Sequence, residues 1–249
     1  QPLAISWPAR IKGGITCDDF VNLYDLAPTF LDAAGVKRSK EMHGRSLIPL
    51  LNGNKQRDRD KVFVERERHA NVREGDLGYP ARAIRTKDFL YIRNFRPDRW
   101  PAGDPEAWFA VGPFGDVDAS PTKDYILQNR TGAKGAEFFR LNFGKRPAEE
   151  LYDLRKDPHE ILNVAGNSLY SKQKRKLRAE LDRWMQKTGD PRAVTADDTF
   201  DRIPYFGQGL RGQSLLSLST QPTLSMQQSG GLDRLRSDGV NGVKAFGEE

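Results

Sequence analysis

"ARAIRTKDFLYIRNF", residues 81–95, consists of two runs of alternating character split by Lys87 and Asp88. Alternation with a period of two sends successive side chains to opposite faces of a strand, so the stretch reads as a β-hairpin turning at 87–88. Phe89, Tyr91, Arg93 and Phe95 then share one face. The flanks extend the pattern. A strand is expected at 62–66, within "KVFVE", and another at 149–154, "EELYDL". Residues 168–187 change the period: Leu177, Leu181, Trp184 and Met185 recur at i, i+4, i+7 and i+8, which makes an amphipathic helix with one face for the sheet. Ser168 is its candidate cap.

Outside this unit the chain alternates turns and short elements. "PLAISWP" (2–8) reads as a short buried strand with no lead-in, as in the back half of a longer protein. "VNLYDLAPTFLDAAGV" reads as a short helix, with Pro28 tolerated in its first turn and Gly35 at the left-handed stop. "HGRSLIPLLNG" repeats the logic, with Ser46 as candidate cap. The Pro-, Gly- and Asp-rich region around 96–122 should be irregular but ordered, with Trp100, Trp108 and Phe109 as packing anchors rather than a ligand platform. "KDYILQN" and "GAEFFRLNFG" look helical, and "DPHEILNVAG" reads as a turn plus a short helix. From 208 to 249 Ser, Gln, Gly and Leu dominate without sustained period, the composition of a disordered tail.

Composition excludes several classes. No run approaches the roughly 20 apolar residues a bilayer needs, and the first residues lack the charged-then-apolar order of a signal peptide. Forty Lys and Arg against 34 Asp and Glu give a formal charge of +6, a mild excess that suits an anionic ligand or nothing special. The densest basic run, "KQKRKLR" at 172–178, falls on the predicted helix, where a solvated face is the simpler reading than a nucleic-acid stripe. Cys17 stands alone, so no intramolecular disulfide forms, and its residue type and position favour simple packing. Walker, G-x-S-x-G, H-E-x-x-H and G-x-G-x-x-G motifs are absent, and His43, His69 and His159 have no ligand partner at metal spacing. "NRT" at 129–131 is a glycosylation sequon, with chance the default reading.

One connection is unusually ionisable. "ERERHANVREGDLGYPARAIRT", 65–86, places Glu67, His69, Arg73 and Asp76 within ten residues between two strand-like runs. A solvated loop and a polar ligand site both fit that composition.

Three ordered segments resemble the C-terminal part of the sulfatase family. "PLAISWPARIKGG" with "VNLYDLAPTFLDAAGV" and "MHGRSLIPLLNG" looks like the end of that family's large domain, and "ELYDLRKDPHEILNVAG" looks like its tail signature. Within the family, "RERHANVREGDLGYPARAIRTKDFLYIRNFRPDRWPAGDP", "DYILQNRTG" and "EFFRLNFGKRP" resemble the N-sulfoglucosamine sulfohydrolases, the heparan sulfamidases, over about residues 2–207. The resemblance implies an α/β fold: the C-terminal part of an alkaline-phosphatase-like sulfatase, with a small antiparallel-sheet subdomain and a packed C-terminal helix. It places the end of the large domain at 1–55, the subdomain at 56–207 and the tail at 208–249.

The same resemblance implies hydrolysis of sulfamate or sulfate ester groups on glycosaminoglycan-type sugars such as heparan sulfate by the complete protein. Calcium and a formylglycine nucleophile would serve it. The nucleophile motif is not present, since Cys17 is followed by "DDF", and the calcium ligands belong upstream, so the expectation is that this chain alone is inactive, with no catalytic and no metal-ligating residue. In the family the loop after the subdomain's first strand reaches toward the sugar. His69, Arg73 and Glu67 are therefore the candidate substrate-binding residues, with Arg68 a further cation for the anionic group, while His43 and His159 read as structural. The implied partner is a sulfated carbohydrate, without nucleic acid or membrane and with a homodimer left open, in a periplasmic, extracellular or lysosomal setting. A phosphohydrolase of the same superfamily and a non-catalytic carbohydrate-binding fragment are the alternatives.

Overall fold

The computed structural model describes residues 3–106, 112–194 and 198–204. The described residues all belong to one compact unit. At its centre four antiparallel strands run in chain order: β1 (Lys61–Arg66), β2 (Ala81–Thr86), β3 (Phe89–Asn94) and β4 (Glu149–Asp153). The 81–95 hairpin forms as its alternation predicts, with Ile84 opposite Tyr91 and the turn at Lys87–Asp88. Thr86 Oγ1 accepts from the Phe89 amide at 3.1 Å and closes that turn.

The amphipathic helix α5 (Ser171–Thr188) covers one face of the sheet. Leu177, Leu181 and Met185 meet Ile84, Phe89, Tyr91 and Leu151, all buried, and Phe63 stacks flat on Trp184 at 4.8 Å. Each aliphatic chain so buried contributes roughly 1.5–3 kcal/mol. Charged pairs fix the helix azimuth: Lys61 reaches Glu180 at 2.5 Å and Arg93 reaches Asp182 at 2.9 Å. The helix stops at Gly189, whose φ of 69° is left-handed.

The opposite side carries a second cluster. Helices α3 (Pro121–Gln128) and α4 (Ala133–Asn142) hold Ile126 and Phe139 against Trp100, Phe114 and Phe143. Trp100 is a packing anchor as expected, 5.6 Å from Phe114 in an edge-to-face pair. Ser120 caps α3 by accepting from the Lys123 amide. The Lys123 ammonium is buried and donates to the Phe114 and Val117 carbonyls, so the loop is tied to the helix that follows it.

The first 55 residues contribute α1 (Leu26–Ala33) and α2 (Ile48–Leu51). Buried Asp25 organises them. Its carboxylate accepts from the Arg45 amide at 2.8 Å and from Arg59 at 2.7 Å, and Asn22 beside it donates to the Phe63 carbonyl of β1. Gly35 stops α1 with φ of 69°. The N-cap position of α2 is Leu47 and not Ser46, whose Oγ accepts from the Ile48 amide from one residue further out.

Four further expectations are corrected. Residues 3–8 of "PLAISWP" form no strand among the described residues and leave Leu3 and Ile5 exposed, because no ladder partner lies beside them. Cys17, expected to pack, is exposed. Ser168 does not cap the long helix. The Asn167 side chain caps a single 3-10 turn at Ser168–Tyr170, and the α-helix begins only at Ser171. "DPHEILNVAG" holds turns and extended chain but no helix. There the Asn163 side chain accepts from the Leu151 amide at 3.0 Å and the Val164 amide donates to the Leu151 carbonyl, so this segment flanks β4 instead of coiling. Trp108, Phe109 and the 208–249 tail lie outside the described residues.

Candidate functional site

The connection between β1 and β2, residues 67–80, begins as continued ladder, with the Tyr79 amide donating to the Glu67 carbonyl at 3.3 Å. It is then held by residues 100–104 and by Asp116. The Asp104 amide donates to the Val72 carbonyl, and Asp104 Oδ2 accepts from the Glu74 amide at 2.8 Å. Gly103 sits at this crossing with φ of 98°, and a Cβ there would lie 2.8 Å from the Gly115 amide. No side chain fits such an approach. The loop is thus braced at both ends and across its middle.

Asp116 is the centre of the site. Its carboxylate is buried and gathers three donors: Arg66 at 2.6 Å and Arg73 at 2.9 Å on Oδ2, and His69 Nδ1 at 2.9 Å on Oδ1. A carboxylate only accepts, so Nδ1 of His69 carries the proton and Nε2 is left on the outer side. The His69 side chain is 68% exposed while that of Asp116 is 4% exposed, so a fixed imidazole stands at the surface on a buried anchor. Its Nε2 can accept from a hydroxyl or, when protonated, face an anion.

Arg73 is 2% exposed and lies wholly inside the loop. It donates to the Trp100 and Pro101 carbonyls, each at 2.9 Å, as well as to Asp116, and its guanidinium sits 5.7 Å from the Tyr79 ring centroid. Burial lowers its pKa, and the Asp116 charge pulls the other way. Glu67 faces another network, where its carboxylate takes Arg82 at 2.8 Å and both arms of Arg192 at 2.7 and 2.8 Å. Arg82 in turn forks onto Asp190 at 2.6 Å. Arg68 donates to the Asp76 and Ile203 carbonyls. His43 and His159 are both exposed and far from this loop in sequence.

The structure therefore brings His69 and Arg73 together on one carboxylate and turns Glu67 toward the C-terminal end of α5. Asp116 and Arg66 were not singled out from the sequence. Arg66 is legible as the last residue of a strand that enters a charged loop. Asp116, in "FGDVD", carries no local signal, since its three partners lie 43 to 50 residues away.

The family model for the C-terminal region of N-sulphoglucosamine sulphohydrolase matches residues 1–106. An ulvan-active sulfatase of Formosa agariphila is 32% identical over 193 residues, covering 76% of this chain and 33% of that protein. Human N-sulphoglucosamine sulphohydrolase is 28% identical over 213 residues, covering 81% of this chain and 39% of that protein. The chain belongs to the sulfatase family. As a sulfatase segment it spans about a third of the length of these curated relatives. A solved protein in complex with its substrate D-glucosamine-2-N,6-O-disulfate aligns with a TM-score of 0.41 at 23% identity, over 72% of this chain and 25% of that one.

Sulfatases use formylglycine and a divalent metal. Among the described residues no three His, Cys, Asp or Glu side chains converge as a metal requires, and both carboxylate oxygens of Asp116 already accept from nitrogen donors. The residues here do not fit a calcium ion, and no step is assigned to one.

Proposed function

We propose that the complete protein hydrolyses sulfamate or sulfate ester groups of glycosaminoglycan-type sugars, heparan sulfate among them, and that this segment supplies part of the substrate-binding wall. Membership of the sulfatase family supports the reaction class, and the similarity to human N-sulphoglucosamine sulphohydrolase supports the choice of sugar. The observation that carries the local assignment is the exposed imidazole of His69, held by buried Asp116. A sulfated amino sugar offers hydroxyls and an anionic group, and Nε2 meets either one with its ring already oriented.

Arg73 and Glu67 belong to the same proposal through the loop. Arg73 fixes the anchor that fixes His69, and Glu67 locks the start of the loop to Arg82 and Arg192. Nucleophile and metal are assigned to parts of the complete enzyme beyond these residues. A periplasmic, extracellular or lysosomal compartment goes with such a substrate.

The test is kinetic. The full-length protein assayed on N-sulfated glucosamine and on O-sulfated sugars is expected to release sulfate, and the 249-residue chain alone is expected to release none. His69→Ala in the full-length protein should raise KM or lower kcat several-fold. Unchanged constants would remove His69 from the substrate wall.

A further inference from the structure

The solvent face of α5 holds a row of cations without counter-ions. Lys172, Arg175, Lys176, Arg183 and Lys187 are all exposed, and none pairs with a carboxylate among the described residues. At 100° per residue Lys172, Lys176, Arg183 and Lys187 fall within about 60° of one another, with Arg175 on the flank. From Lys172 to Lys187 the row runs about 22 Å at 1.5 Å per residue.

Ordinary solvated helices interleave both signs, so that acids three or four residues away neutralise each cation. This helix has two acids, and both are turned toward the sheet: Glu180 pairs with Lys61 and Asp182 with Arg93. Glu149 of β4 takes Lys174 and Arg178, which flank the row but are not part of it. The first turn carries no acid. Lys172 there opposes the positive end of the helix dipole, where an acid would be favoured by roughly 0.3–1 kcal/mol, while Lys187 in the last turn suits the negative end. The arrangement concentrates positive potential along one straight line.

We propose that this row is a docking surface for a linear sulfated polysaccharide, distinct from the loop around His69. A flexible chain of sulfated sugars presents anions at repeated intervals along an extended path, which a straight row of cations neutralises by releasing condensed counter-ions. The identity of the polyanion rests on the proposed sulfatase function, whereas the row itself does not. Its occupant would be the body of the chain whose sulfated unit is processed elsewhere.

Binding of a heparin octasaccharide to the full-length protein is measured by calorimetry across a salt series, with N-sulfated glucosamine as the short control. In K172Q/K176Q/R183Q/K187Q the octasaccharide affinity at about 0.15 M salt is expected to fall at least tenfold, and the slope of log K against log salt to fall by roughly two to four. Turnover of the monosaccharide should stay unchanged. Ala179→Lys, which adds a cation between the two halves of the row, should raise octasaccharide affinity and keeps the test open if the fourfold variant does not fold.

Octasaccharide affinity within twofold of the parent in the fourfold variant overturns the proposal. So does equal or tighter binding of single-stranded DNA or polyglutamate of matched charge. Absence of sulfatase turnover with octasaccharide binding intact would sink the functional reading and leave the row standing. Intact turnover without octasaccharide binding would do the reverse.

Discussion

Asp116 shows how one side chain couples stability to the geometry of a surface site. Two guanidiniums and an imidazole share its carboxylate, and Arg73 among them is buried and has no route to water. Asp116→Asn keeps the volume and removes the charge, leaving Arg73 facing a neutral amide. Breaking a buried pair from one side costs about 3–5 kcal/mol. Arg66 is 40% exposed and can turn to solvent, so about 2–4 kcal/mol is expected, read from denaturant midpoints. In the full-length enzyme the same change weakens the hold on the His69 ring, because one amide oxygen must now serve donors that two carboxylate oxygens shared. Its kinetic defect should resemble that of His69→Ala, and the two together should be clearly less than additive. A variant with parental stability, or with fully additive kinetics, would remove Asp116 as the anchor. Nothing local announces this residue: His69 and Arg73 stood out because charge was dense around them, while Asp116 acquires its meaning only when residues 66–73 and 116 are folded together.

At the scale of elements, legibility followed the range of the interaction. The 81–95 hairpin and the α5 face were readable because a period of two and a period of 3.6 are written in consecutive residues. "PLAISWP" and "EILNVAG" mislead for the opposite reason. An apolar run becomes a strand only with a ladder partner, and a helix-compatible run becomes a helix only if no neighbouring strand claims its backbone. Leu151 makes that claim on residues 163–165. The Asn163 amide oxygen accepts from the Leu151 and Ala165 amides, and its nitrogen lies 3.3 Å from the Glu149 carbonyl. The backbone of Val164 serves the Leu151 carbonyl, and the Asn163 side chain serves the Leu151 amide. Asn163→Ala would orphan the amide of a fully buried residue, at about 1–2 kcal/mol, whereas Asn163→Asp keeps the acceptor and should recover most of the loss. Thermal or denaturant unfolding of the pair decides it, and equal stability of the two variants would sink the account.

For the molecule as a whole, the sheet ties its two faces to a pH limit. Tyr91 is buried under α5 and donates to Glu149 at 2.6 Å, while Tyr152, on the other face, donates to Glu150 at 2.6 Å. Burial first, and then these carboxylate partners, raise both phenol pKa values well above the usual 10. Tyr79, beneath the candidate site, is pushed up to about 12 by burial and by the Glu150 charge. On the acid side Glu149 is lowered: its burial acts upward but is outweighed by the Tyr91 hydrogen bond and by Arg178 and Lys174. Asp153 is lowered by the hydrogen bond from Arg155. A depressed carboxylate stabilises the fold above its unfolded pKa and loses that contribution as pH falls through the folded value. A raised tyrosine stabilises fully below pH about 10 and loses its contribution as pH climbs through the folded value. Stability should therefore be level through the neutral range. Above pH about 10 it should fall by about 1.4 kcal/mol per pH unit for each of the three tyrosines, about 4 kcal/mol per unit together. A fold worth some 5–15 kcal/mol then opens before the buried phenols ionise in place. Three of the seven tyrosines should develop tyrosinate absorbance only together with loss of helical ellipticity, and denaturant midpoints should drop steeply between about pH 10 and 11. Smooth ionisation of all seven with ellipticity intact would show that these phenols are not held by the fold in the way their burial and partners require.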